Sequence, residues 1–123
     1  MKRISKNRWA FVLVVILGAA CGGPPELGEQ QQRELLAQAV VLLDKTKTHG
    51  PVNKGNWKEP IAALKPENVF VTNEGLYIKM GSSFSTEYGY FVPRPATVVN
   101  ESSGTDPSYK KLGNGIYRYR IKG

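Results

Sequence analysis

Val69-Phe70-Val71-Thr72-Asn73-Glu74-Gly75-Leu76-Tyr77-Ile78-Lys79-Met80 is the stretch whose reading decides the fold. Two runs rich in β-branched and aromatic residues are joined by three residues ending in glycine, which is a hairpin pattern. Val69 to Thr72 reads as a strand, Asn73-Glu74-Gly75 as a tight turn, and Leu76 to Met80 as the return. Towards the C-terminus, Gly81 to Ser85 reads as a flexible connection and Tyr88-Gly89-Tyr90-Phe91-Val92 as a third strand, closed by Pro93-Arg94-Pro95. Ala96 to Asn114 reads as a long polar loop, and Ile116-Tyr117-Arg118-Tyr119-Arg120-Ile121 as a last, cleanly alternating strand. Towards the N-terminus, Pro60 to Leu64 reads as one helical turn opened by a proline and stopped at Pro66. Gly50 to Glu59 reads as a polar loop holding Trp57. A helix is expected from about Gly28 to Thr46, because Leu35, Leu36, Ala39, Val40 and Leu43 make one apolar stripe. The polar run Lys45 to His49, followed by Gly50-Pro51, stops it. The expected fold class is α+β: one N-terminal amphipathic helix packed on a small antiparallel sheet of about four strands.

The first 20 residues have a different character. Lys2, Arg3, Lys6 and Arg8 precede the apolar run Trp9 to Ala20, and Gly18-Ala19-Ala20 leads to Cys21, the single cysteine of the chain. A charged start, an apolar centre and small residues before a cleavage point make a secretory signal. The run is too short to cross a bilayer core, which takes about 20 residues. Leu17-Gly18-Ala19-Ala20-Cys21 resembles the looser form of the bacterial lipobox, with its leucine four residues before the cysteine rather than three. The resemblance implies that Cys21 becomes a lipidated mature N-terminus and anchors the chain in a membrane. Gly22 stands where an aspartate would be the inner-membrane retention signal, which implies, in a host with two membranes, an outer-membrane anchor facing the periplasm in preference to an inner-membrane one. The expected organisation is a signal peptide over 1–20, a lipidated flexible tether over 21–30 and one small α+β domain over 31–123.

Removing the signal alters the meaning of the charge. The chain carries +7, from 17 basic and 10 acidic residues, with a pI near 9.6. Four of the basic residues belong to the signal, which leaves 13 against 10, or +3. Mild positive charge on an exported chain points to anionic lipid heads or an acidic partner. It argues against nucleic acid, which such a chain does not meet.

The last strand is the most informative part of the domain for function. Alternation puts Tyr117, Tyr119 and Ile121 on one face and Arg118, Arg120 and Lys122 on the other. With Lys110 and Lys111 these three form a basic set, and no acid follows Asp106. Two readings stand side by side. In one, the aromatic face points inward and the charges are a solvated surface that protects a sheet edge. In the other, Lys110, Lys111, Arg118, Arg120 and Lys122 are a binding surface.

Catalytic constellations are poor. His49 is the sole histidine and lies in a Lys/Thr loop, so neither a metal site nor a His-based nucleophile is expected. No serine stands in a Gly-x-Ser-x-Gly elbow, and no phosphate-cradling glycine loop occurs. Glu74 and Glu87 make a carboxylate pair only if folding brings them together. No enzymatic activity and no cofactor are expected. The segments EGLYIKM, GYFVPRP, DPSYKKL and GIYRYRI are similar to a set of short, uncharacterised bacterial envelope proteins, over about the last two-thirds of the chain. That set carries no established site, so the similarity implies a compartment and nothing more. Three functions remain as expectations. The first is an envelope module that docks on a protein partner. The second is an immunity-type lipoprotein that neutralises a toxin, and the third a carrier of lipid or a small ligand.

Overall fold

The structure, a computed structural model, describes residues 26–46, 49–83, 85–101 and 105–122. The expected signal peptide over 1–20, Cys21 and the first part of the expected tether lie outside the described residues. Helix α1 spans Glu29–Lys45 and begins inside the stretch read as tether. Gly28 precedes it in an extended conformation, and the Gln31 side chain turns back to accept its N–H at 2.9 Å. Glu29 in the first turn and Lys45 in the last complement the helix dipole. The buried stripe is Leu35, Ala39, Leu42 and Leu43. Val40, expected inside, is 53% exposed, since Leu42 takes the inward position one turn after Ala39. Among the described residues no helix is long and apolar enough to cross a membrane.

Six strands follow: β1 Gly50–Pro51, β2 Asn68–Val71, β3 Gly75–Ser83, β4 Thr86–Pro93, β5 Ser108–Gly113 and β6 Ile116–Lys122. Before β2 come a 3₁₀ turn at Lys54–Asn56 and the four-residue helix α2, Ile61–Leu64. All neighbours are antiparallel, in the order β1-β2-β3-β4-β6-β5. The α+β class holds, with the sheet larger than the four strands expected. One addition is β1, two residues that pair with Val71 and Phe70. The other is β5, which arises from the C-terminal third of the stretch read as a polar loop. Its turn to β6 is Asn114-Gly115, with φ of 51° and 78°. Both central residues of a tight two-residue turn need positive φ, and Asn-Gly supplies it cheaply. The first part of the supposed connection, Gly81 to Ser83, also pairs, and Ser82 faces Glu87 across the long β3–β4 hairpin.

The sheet has two packed faces. On one, Leu76, Ile78, Tyr90, Val92 and Ile116 join Val69 and Val71 under α1 in the main core. On the other, Tyr77, Phe91 and Tyr119 form a second buried cluster, flanked by half-buried Phe70, Tyr109, Tyr117 and Ile121. The aromatic residues of β6 therefore face away from the helix, and Arg118, Arg120 and Lys122 share the helix side. β6 is also an interior strand, so its charges do not guard an edge. The chain crosses the aromatic face on its way from β4 to β5, and Val99 packs there. Each edge strand has its own closure. Pro51 in β1 has no N–H to offer, and Glu101 Oε1 accepts the Lys111 N–H of β5 at 2.7 Å.

Candidate functional site

The register distributes the five basic residues unequally. Lys110 stands directly opposite Arg118, which on its other side is opposite Tyr90 of the helix-side core. Arg120 is opposite Tyr88 and Ser108, and Lys122 is opposite Thr86. Lys110, Arg118, Arg120 and Lys122 thus rise from one face of β5–β6. Lys111 is opposite Tyr117 and belongs to the aromatic face. The basic set read from the sequence is four residues and one outlier.

The ion pairs among the described residues join Arg33 to Glu29 and Lys79 to Glu67 and Glu87, and none involves the β5–β6 set. Asp106, the last acid, accepts the Lys122 backbone N–H at 2.9 Å. Arg118 is half-buried, and its Nε is enclosed with no hydrogen-bond partner among the described residues. Like charges directly opposite each other oppose pairing. The sheet carries this cost at Lys110–Arg118.

The aromatic face is tied together by hydroxyls. Phe70 stacks on Tyr77 with centroids 5.1 Å apart, and Tyr119 meets Tyr77 edge-on at 5.0 Å. The Tyr77 and Tyr109 hydroxyls lie 2.7 Å apart, while Tyr119 donates to Glu87 Oε2 at 2.8 Å. Burial holds Tyr77, Tyr90 and Tyr119 above their ordinary 10.0, reinforced at Tyr119 by the bond to Glu87. The folded chain therefore keeps phenolic protons that the unfolded chain releases. Stability contributed this way is complete below about pH 10 and is lost as pH rises from there, by at most ~1.4 kcal/mol per pH unit for each tyrosine. Urea unfolding between about pH 8 and about pH 11 is expected to show this decline. A flat profile would contradict the burial of these hydroxyls.

The remaining expected positions are brought together only in part. His49 is exposed, and Glu74 and Glu87 occupy opposite ends of the β3–β4 hairpin, so the fold separates that carboxylate pair. Trp57 is half-buried and donates its ring N–H to Val52 O at 3.1 Å. Two open clefts flank α1. One, about 970 Å³, runs between its C-terminal half and Val52 to Pro60, and Gln38 there accepts the Ile61 N–H. The other, about 750 Å³, lies beside Val40, Val41 and Pro93 to Pro95. The first is lined in part by Glu34, Lys45, Lys58 and Glu59, and the second by Asp44, His49, Asn73 and Arg94. The missed signal is Asn114-Gly115, which marks the β5–β6 hairpin and so sorts Lys110 from Lys111. Comparison with protein-family models, with curated proteins and with solved structures found no match.

Proposed function

We propose that the chain is a lipid-anchored, non-catalytic docking module of the bacterial cell envelope. Cys21 carries the lipid in the outer membrane facing the periplasm, and the folded domain brings its cationic face against an acidic envelope surface. The signal-like N-terminus supports the anchor. The docking reading is carried by Lys110, Arg118, Arg120 and Lys122, aligned on one face with no ion pair among the described residues. A merely solvated surface has no reason to keep Lys110 opposite Arg118.

Lys110→Glu separates the two readings. It replaces a repulsive cross-strand pair with an attractive one and is expected to raise stability by about 0.5 kcal/mol. Crosslinking and pull-down from detergent-solubilised host membranes is expected to recover envelope components with the natural chain and fewer with the variant. Equal recovery from both would remove the docking role of this face. One soluble, stoichiometric partner would instead indicate a toxin-neutralising module.

A further inference from the structure

We infer that the acidic surface met by the β5–β6 face is the phospholipid headgroup layer of the anchoring membrane. Lys110, Arg118, Arg120 and Lys122 then lie on lipid phosphates, and the aromatic face is turned outward. This rests on the lipid-anchor reading above and adds an orientation to it.

The point where the tether leaves the domain gives the first argument. Leu27 is buried in the same core as Tyr90 and Ile116. Gln32 Nε2 donates to Leu27 O at 2.8 Å, and Gln32 Oε1 accepts from Asn114 Nδ2 at 3.1 Å. The start of α1 is thus fastened to the β5–β6 turn, and Glu26 emerges beside the cationic strands. Its charge and that of Arg118 both act on the Tyr90 hydroxyl. From Glu26 to Cys21 is five residues, at most about 18 Å of extended chain. Lipid at Cys21 therefore holds the β5–β6 side of the domain at the bilayer surface. The electrostatic attraction there decays over about 8 Å at physiological salt.

The chemistry of the face gives the second argument. Planar guanidinium groups match phosphate oxygens in pairs, and Arg118 and Arg120 are near neighbours on one strand. Tyr88 is half-exposed on the same face, opposite Arg120, and an amphipathic ring suits the headgroup level. The centre of a stable protein interface is depleted in lysine and needs apolar anchors in fitted pockets. Four cations around one tyrosine fit a fluid layer of phosphates better than that. A basic patch beside the acyl anchor adds electrostatic attraction to anionic lipid and so favours one orientation of the domain.

The test uses the full chain purified with its lipid and reconstituted into vesicles. One set is phosphatidylcholine alone, and the other phosphatidylcholine with phosphatidylglycerol. Amine acetylation rates are read by mass spectrometry at Lys110 and Lys111, adjacent residues on opposite faces. At low salt, Lys110 is expected to be protected roughly fivefold or more by phosphatidylglycerol, and Lys111 to change little. High salt is expected to abolish the difference. Equal rates at the two lysines, in a protein that floats with both vesicle types, would overturn the orientation and leave the anchor standing. Failure to float, with an unmodified Cys21 peptide, would overturn both. Protection of Lys110 by a co-purified protein in neutral vesicles would assign the face to that protein and overturn the inference.

Discussion

Gly89→Ala is expected to lower the stability of the domain by about 3 kcal/mol or more, read as a fall in the urea midpoint with little change in slope. Gly89 lies in β4, between β3 and β6, and is opposite Lys79 and Tyr119. A methyl group there would collide with the carbonyl oxygen of Ile78 and stand 2.9 Å from Tyr119 Cε1. Neither neighbour yields easily. The first is backbone of the central hairpin, and the second belongs to a ring fixed by its bond to Glu87. Gly115→Ala is the control. Gly115 has φ of 78°, but its added carbon would meet only Leu36 Cδ1, at 3.8 Å. A loss of about 1 kcal/mol is expected there, from backbone strain alone. Equal losses at the two glycines would mean that the close passage of β3 and Tyr119 beside Gly89 is wrong.

Phe91→Ala is expected to cost about 3–5 kcal/mol, although Phe91 lies on the face without a helix. Phe91 is 1% exposed, with its ring 4.4 Å from Tyr77 and 5.1 Å from Tyr109. Truncation leaves a void beneath Val99 and removes the rings that order Tyr77 and Tyr109. Near-ultraviolet circular dichroism of the tyrosines is expected to weaken with it. If this face were ordinary solvated surface, the loss would stay within about 0.5 kcal/mol. The measurement thus decides whether the sheet has one core or two.

The hairpin β2–β3, strands β4 and β6 and helix α1 were legible in the sequence because each has a period that solvent and core impose. β1 was not, because two residues including a proline carry no period. β5 was hidden by Lys110-Lys111, which breaks alternation where one lysine faces each side. Its turn was nevertheless written in Asn114-Gly115. Alternation in β6 correctly sorted tyrosines from cations but did not say which set shares the helix side. A charged set reads as outward, yet on the helix side burial falls off along β6: Ile116 is in the core, Arg118 is half-buried, and Arg120 and Lys122 are exposed. For the same reason four of the five proposed binding residues fall together and Lys111 does not: the grouping depended on pairing register, which is non-local.

Under the proposed lipid anchor, the closures at the two sheet edges have a further meaning, because the protein would be confined to a surface. Anchored molecules diffuse in two dimensions and collide side by side far more often than the same number free in a volume. An open strand edge would turn such encounters into continuous intermolecular sheets. Pro51 at one margin lacks an N–H and Glu101 at the other occupies that of Lys111, which interrupts the row of donors on which that growth depends. Neighbouring copies are therefore expected to crowd without polymerising, and the domain to remain individually mobile at high surface density.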